Sequence, residues 1–303
     1  MYSDIAPRRM RGIQEMIDVA SLRFDVIFKK AFSLPEVFTQ FVRDVLGISI
    51  HVDRVIQDYR YPEPIGFVDI VYDLFAEDVE NRVIVEIQHV KEIDFFDRFL
   101  YYHLIGIIQQ VKSYTDYRFP KTVYTVVVVT GDTRSRNEHV TRFGVATSQM
   151  EAFNEFNQPL GIYPHRLVFL NPRNINERTP ENIRAWLELI DDSLDEQVDE
   201  TRYDSPLLQQ VIEEIKKDNV TPQELSQIKD EAVLERYFRE SFEDGHKEGH
   251  EKGREEGHEE GHEEGRKTRE REIARSMLAR GVDVVLVAEV TGLSQEEIEN
   301  LNG

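Results

Sequence analysis

Apolar and polar residues alternate in two different ways along most of the chain, and the two periods predict a mixed α/β core. Residues 122–130 are almost continuously apolar and β-branched, which is typical of a strand in a sheet covered on both sides. In residues 37–46 the apolar side chains recur at helical spacing, and Gly47 is suited to end that helix. Ser33 and Glu36 have the spacing of a capping box at its start. The predicted elements are a helix that begins after Ser33 and runs to Leu46, strands over 52–61, 68–75 and 83–88, a helix over 95–114, strands over 122–130 and 165–170, and helices over 180–190, 207–217 and 222–242.

The last quarter of the chain has a different pattern. Residues 245–265 carry a glycine at every fourth position among Glu, His, Lys and Arg. Each glycine weakens a helix by about 1 kcal/mol. The segment is therefore either a helix held by charged pairs, whose glycine stripe lets two helices approach closely, or a flexible charged spacer. Residues 272–301 resemble a small helix-turn-helix, in which Ser294 and Glu297 form a second capping box. Because the last helix is acidic, we expect it to contact protein or form a dimer rather than recognise bases.

These changes of pattern divide the chain into four predicted segments. The expected fold class is an α/β core, a mixed sheet flanked by helices, with an all-helical C-terminal extension. The segments are a core over 1–175, a helical extension over 176–242, a charged glycine-repeat segment over 243–270 and a small helical module over 271–303.

Composition and charge narrow the class of protein. The 303 residues include 58 Asp and Glu against 37 Lys and Arg, a net charge of −21, which argues against a simple nucleic-acid binder. Residues 1–130 are only mildly acidic, with 15 basic against 19 acidic residues. Cysteine is absent, which excludes disulfides and thiolate metal sites. With neither a membrane-spanning run nor a signal-type segment, we expect a bacterial-type cytoplasmic protein without membrane contact.

Candidate chemistry falls on two successive predicted strands. Asp69 and Asp73 point to one face of the first strand, and Glu86 and Gln88 share a face of the second, because strand side chains have a period of two. Carboxylates in apolar strands are costly unless they are paired or bind a metal. Two carboxylates and a neighbouring polar group can hold a hard divalent ion such as Mg²⁺. The alternative is a half-exposed hairpin whose polar residues face water.

Asp69 with Glu86-x-Gln88, preceded by the segment that begins at Asp25, resembles the PD-(D/E)xK nuclease superfamily, and within it the recombination-promoting nuclease or putative transposase family. The resemblance covers roughly residues 23–130 by motif. It implies a restriction-endonuclease-like core and metal-dependent hydrolysis of phosphodiester bonds in DNA. It also implies that Asp69 and Glu86 ligate the metal, Mg²⁺ or else Mn²⁺ or Ca²⁺. Gln88, which occupies a position that is usually Lys, would orient the attacking water but brings no positive charge.

Other residues are candidates for supporting roles. Asp73 competes with Asp69 as the first ligand, although the family spacing favours Asp69. On the predicted helix over 95–114, the planar guanidinium of Arg98 could bind a phosphate. Aromatic neighbours such as Tyr102 could assist it, or they could be ordinary packing residues. The candidates for substrate contact or support are Lys29, Asp73, Asp94, Arg98, Tyr102 and Gln110.

Two functions remain open from these residues. The first is a metal-dependent DNA endonuclease, which we expect to form a homodimer through its C-terminal segment. The second is a weakly active or inactive nuclease-fold scaffold that binds a protein partner in a mobile-element or defence setting. The presence of Asp69 together with Glu86 favours the enzyme, whereas the net acidity and Gln88 favour the scaffold.

Overall fold

The β-branched runs of the sequence form one six-stranded mixed sheet in the computed structural model, which describes residues 16–62, 68–89, 95–111, 115–131 and 143–302. A second, two-stranded sheet pairs the first short strand with the last. The strands are β1 Ile17–Asp18, β2 Ile56–Tyr59, β3 Tyr72–Glu77, β4 Asn81–Gln88, β5 Thr122–Val129, β6 Val145–Gln149, β7 Arg166–Leu170 and β8 Gln197–Val198.

The order of strands in the large sheet is β2-β3-β4-β5-β7-β6. Strands β2, β3 and β4 are antiparallel neighbours, whereas β4, β5 and β7 run parallel to one another. The register of β4 on β5 runs from Asn81 opposite Thr122 to Gln88 opposite Val129. The carboxyl ends of these three parallel strands therefore meet at the same edge of the sheet.

Helices cover both faces of the sheet. They are α1 Asp25–Phe32, α2 Pro35–Leu46, α3 Phe95–Ile108, α4 Glu181–Ser193, α5 Pro206–Ile215, α6 Pro222–Leu278, α7 Val284–Thr291 and α8 Gln295–Glu299. The first face packs on α1, α2, α4 and α5, and its apolar core contains Val83, Val85 and Ile87 of β4. The other face packs on α3, with Ile84 among the buried residues.

Most elements agree with the periodicity of the sequence, but some details differ. Helix α2 ends as predicted at Gly47, which has a left-handed φ of 70°. The predicted capping box at its start is wrong, because Leu34 is the N-cap and no side chain caps the helix. Strand β3 begins at Tyr72 rather than at residue 68, so its paired part lies further along the chain. Strand β6 is an element that periodicity does not predict, since its polar sequence lacks an apolar alternation.

The chain forms two compact units, Met1–Ala232 and Val233–Gly303. Helix α6 is continuous through the glycine repeat, so the described structure of that segment is helical. In the second unit the predicted capping box is confirmed, with Ser294 accepting from the Glu297 N–H and the Glu297 side chain returning to the Ser294 N–H. No described helix is both long and apolar enough to span a membrane.

Candidate active site

Two carboxylates lie in the gap where β3 and β4 part. The paired register of these strands extends to Leu74 opposite Val85. One position further along, side-chain carboxylates accept hydrogen bonds from backbone N–H groups of the two strands. The Ile87 N–H donates to Asp73 Oδ2 at 2.8 Å, and the Asp73 N–H donates to Glu86 Oε1 at 3.4 Å. Asp73 and Glu86 thus lie side by side, opposite each other in the continued register.

The electrostatics of this pair call for a cation. The pKa of Asp73 is raised to about 7, first by burial and then by the nearby charge of Asp25, while the hydrogen bond from Ile87 opposes the change. Burial also raises the pKa of Glu86 well above its ordinary range, with the charge of Asp73 as the second cause. Two neighbouring carboxylates in an enclosed site cannot both be charged unless a positive charge compensates them.

Helix α1 brings a third carboxylate and a lysine to the same place. The Lys29 Nζ lies 2.6 Å from Asp25 Oδ2 and 2.5 Å from Asp58 Oδ1. Burial alone would lower the pKa of Lys29, but these two carboxylates outweigh it and raise the pKa. Asp58 has a left-handed φ of 50°, which is uncommon for a non-glycine residue and interrupts the alternation of β2 beside the site.

Asp25 carries an unsatisfied oxygen. Its Oδ2 pairs with Lys29, but its Oδ1 is buried and has no hydrogen-bond partner within the described part of the chain. Burial raises the pKa of Asp25, and the hydrogen bond and charge of Lys29 oppose that change. A buried acceptor without a partner is rare in folded proteins, so it marks a place where a water or an ion is expected.

A residue far along the chain holds Asp25 in position. The Asp25 N–H, at the start of α1, donates to Oε1 and Oε2 of Glu231 at 3.1 and 3.2 Å. Glu231 belongs to α6, 206 residues away in sequence, and caps a helix whose own N-cap, Phe24, offers no side-chain acceptor. Spacing within the core motifs could not have identified Glu231.

From the opposite side, α3 contributes Arg98 and Tyr102. The positive charge of Arg98 acts on Glu86 and partly counters the rise in its pKa that burial causes. The Arg98 Nε lies 3.4 Å from the Tyr102 hydroxyl, and its guanidinium stands over the Tyr102 ring. The Tyr102 carbonyl accepts a hydrogen bond from the Tyr72 hydroxyl at 3.0 Å, which ties this turn of α3 to β3. Tyr102 therefore supports Arg98.

Two predicted site residues lie elsewhere. Asp69 is exposed, with 62% of its side chain accessible, and it pairs with Arg60. It precedes Asp73 by four residues, about 13 Å along an extended chain. Gln110 is buried and hydrogen-bonds the backbone of Lys121 through both its side-chain amide nitrogen and oxygen, which places it before the amino end of β5. Neither residue joins the pair, and Asp94 lies outside the described residues.

Comparison with protein-family models identifies the family of this chain. The model of the PD-(D/E)XK nuclease family transposase matches residues 23–236, more than two thirds of the chain. The chain belongs to this PD-(D/E)XK family. A second model, the C-terminal HTH domain of the Rpn/YhgA-like nuclease family, matches residues 267–303. No curated protein and no solved structure gives a significant match.

Membership of the PD-(D/E)XK family confirms the predicted restriction-endonuclease-like fold, with its mixed sheet and helical C-terminal region. Nucleases of this family generally use divalent metals. Among the residues that the structure describes, no three Asp, Glu or His side chains gather closely enough to enclose a metal. A carboxylate pair suffices for Mg²⁺, which keeps several of its waters. The unpartnered Asp25 Oδ1 is suited to accept a hydrogen bond from one of them.

Proposed function

We propose that this PD-(D/E)XK protein is a divalent-metal-dependent endonuclease that cuts DNA, with the ion, Mg²⁺ in the first instance, held by Asp73 and Glu86. The observation that carries the proposal is the enclosed carboxylate pair at the parting of β3 and β4. Such a pair is unfavourable in an apolar sheet unless a cation compensates it. Family membership supports the nuclease class, and the opposed position of Asp73 and Glu86 supports Asp73 over Asp69 as the first ligand.

The surrounding side chains divide the remaining tasks. Asp73 and Glu86 would hold the divalent ion, which would supply a water of lowered pKa and offset charge on the phosphoryl group. Gln88, two residues after Glu86, can hydrogen-bond the attacking water. The charge of Arg98 acts on Glu86, so Arg98 lies near the site. Its planar guanidinium can bind two oxygens of the scissile phosphate.

Lys29 can supply the positive charge that Gln88 lacks. Its ammonium group is buried and lies between Asp25 and Asp58 at the site. Asp25 and Asp58 hold the ammonium group of Lys29 at the site, where its charge would offset the negative charge that develops on the phosphate. The lysine would then come from α1 instead of the strand position that the superfamily commonly uses.

The alternative function, an inactive scaffold with a nuclease fold, is favoured by Gln88 and by the net charge of −21. The two proposals differ in what they require of the carboxylates. A scaffold has no need of charged groups in the interior of its sheet, whereas the nuclease requires both of them.

Cleavage of supercoiled plasmid tests the proposal. Purified full-length protein is incubated with Mg²⁺, Mn²⁺ or Ca²⁺, and nicked and linear products are separated on a gel. We expect cleavage by the wild type, none by Asp73→Ala or Glu86→Ala, and normal cleavage by Asp69→Ala. Absence of metal-dependent cleavage in the folded wild type would favour the scaffold. Cleavage by Asp73→Ala at the wild-type rate would place the metal site elsewhere.

A further inference from the structure

A second polar cluster lies at the carboxyl edge of the parallel strands. His89 follows β4, Thr130 follows β5 and Asn171 follows β7. His89 Nδ1 and Thr130 Oγ1 are 3.0 Å apart. Ligands of open α/β sheets bind outside the carboxyl ends of parallel strands. Gln88 ends at this same edge, so the cluster adjoins the proposed site.

The backbone at this edge is held rigidly. The Thr130 N–H donates to the Gln88 carbonyl at 3.0 Å. Gly131 passes so close to His89 that an added Cβ would lie 1.6 Å from the His89 carbonyl oxygen, which only glycine permits. The Asn171 N–H donates to the Gly144 carbonyl at 2.8 Å. The backbone positions that carry these side chains are therefore held in place by hydrogen bonds and close packing.

Arg173 crosses this edge, and only part of its guanidinium is hydrogen-bonded. Its backbone N–H donates to Asn171 Oδ1 at 3.1 Å, and its Nε donates to the Thr130 carbonyl at 2.9 Å. The residue is exposed, and its two terminal nitrogens have no hydrogen bond or ion pair within the described ranges. Several other arginines of this acidic chain, among them Arg60, Arg82, Arg118, Arg184 and Arg202, pair with carboxylates.

The turn that carries Arg173 is also costly to form. Asn171 is fully buried, and while its Oδ1 accepts from Arg173, its Nδ2 has no hydrogen-bond partner among the described residues. An unsatisfied buried amide costs about 1–3 kcal/mol. Despite this cost, the turn fixes the side chain of a cation at the edge of the sheet, which suits a binding role.

We propose that Arg173 binds a backbone phosphate of the DNA near the one that is cut. Its fixed Nε and unpaired terminal nitrogens suit bidentate contact with phosphate oxygens. Glu86 lies opposite Val127 in the sheet, three residues before Thr130. The anchor of Arg173 is therefore about 10 Å further along the strands than the carboxylate pair, a distance that a few nucleotides span. The inference rests on the proposed nuclease function.

Binding of a fluorescent duplex DNA, measured by anisotropy with Ca²⁺ over a series of salt concentrations, tests this assignment. The full-length wild type is compared with Arg173→Ala and Arg173→Lys. The matched control is Arg118→Ala, which removes the same charge from an exposed residue before the amino end of β5, at the opposite edge of the sheet. Plasmid cleavage with Mg²⁺ by each variant is measured in parallel.

We expect Arg173→Ala to bind several-fold more weakly and to reduce the salt dependence of log K by about 0.9, the value for one lost phosphate contact. Arg173→Lys should keep the salt dependence but bind more weakly than the wild type, because it keeps the charge and loses the fork. Arg118→Ala should match the wild type. The KM for DNA should rise in Arg173→Ala while kcat changes little.

Two negative results are distinguishable. If the wild type cuts DNA and Arg173→Ala binds with unchanged affinity and salt dependence, the phosphate contact is refuted while the nuclease stands. The phosphate contact is likewise refuted if Arg118→Ala weakens binding as much as Arg173→Ala, since the effect is then one of overall charge. If the folded wild type neither binds nor cuts DNA, the proposed function fails and the phosphate contact fails with it.

Discussion

Asp73→Asn is expected to abolish activity and to stabilise the metal-free protein at the same time. Asn has nearly the same shape as Asp and can still accept the hydrogen bond from the Ile87 N–H through its Oδ1. It removes only the charge that the site has difficulty holding. The matched control is Asp69→Asn, which makes the same chemical change four residues earlier on an exposed side chain paired with Arg60.

The magnitude follows from the pKa of Asp73, which rises from 3.8 to about 7 on folding. The folded state therefore keeps a proton that the unfolded chain loses between about pH 4 and pH 7, so stability falls as pH rises through this window. A difference of about 3 pH units corresponds to at most about 4 kcal/mol above pH 7. Because water and side-chain relaxation reduce such values, we expect Asp73→Asn to gain about 1–3 kcal/mol near pH 8 and almost nothing near pH 4.

Thermal melts with and without Mg²⁺ measure both effects. At about pH 8, without metal, the melting temperature of Asp73→Asn should exceed that of the wild type by about 2–10 °C. Added Mg²⁺ should raise the melting temperature of the wild type and of Asp69→Asn but leave Asp73→Asn unchanged. The metal effect in the wild type should grow from about pH 6 to pH 8 as Asp73 loses its proton. A metal response that survives in Asp73→Asn and disappears in Asp69→Asn would refute the assignment.

Three further predictions concern the neighbouring parts. Gln88→Lys should retain or increase cleavage because the lysine restores a positive group, and Gln88→Ala should slow cleavage because alanine cannot orient the water. Equal cleavage rates for Gln88→Ala and the wild type would contradict this role. Lys29→Met should lower the cleavage rate about 100-fold or more and keep the metal-dependent rise in melting temperature, and Lys29→Arg should recover part of the rate. Loss of the metal-dependent rise in Lys29→Met would show that the lysine is needed for folding of the site instead. Removal of residues 245–303 should leave metal-dependent cleavage in the core, change the molar mass measured by light scattering, and lower the ratio of linear to nicked plasmid; an unchanged mass and ratio would mean that the tail does not form the dimer.

Much of the local structure follows from signals within short stretches of the chain. The apolar runs of β4 and β5, the helical spacing of α2 and the glycine at its end are local signals, since they depend on side-chain periodicity and backbone sterics. The family resemblance likewise rested on residues that lie close together in sequence. Glu86 and the elements around it could be located this way, and so could the capping box of the last helix.

Which residues meet at the site depends on how distant segments pack together. Asp69 and Asp73 are equivalent in a strand pattern because both lie on one face, and the register of β3 on β4 alone places Asp73 opposite Glu86. Neither the unpartnered oxygen of Asp25 nor the contact of Glu231 with the start of α1 could be predicted from the sequence, because both depend on packing between distant segments. Gln110 shows the converse, since a plausible spacing on α3 placed it near the site while the fold ties it to Lys121. Periodicity fixes the face on which a side chain lies, whereas the partner it meets there depends on how strands and helices from distant parts of the chain align.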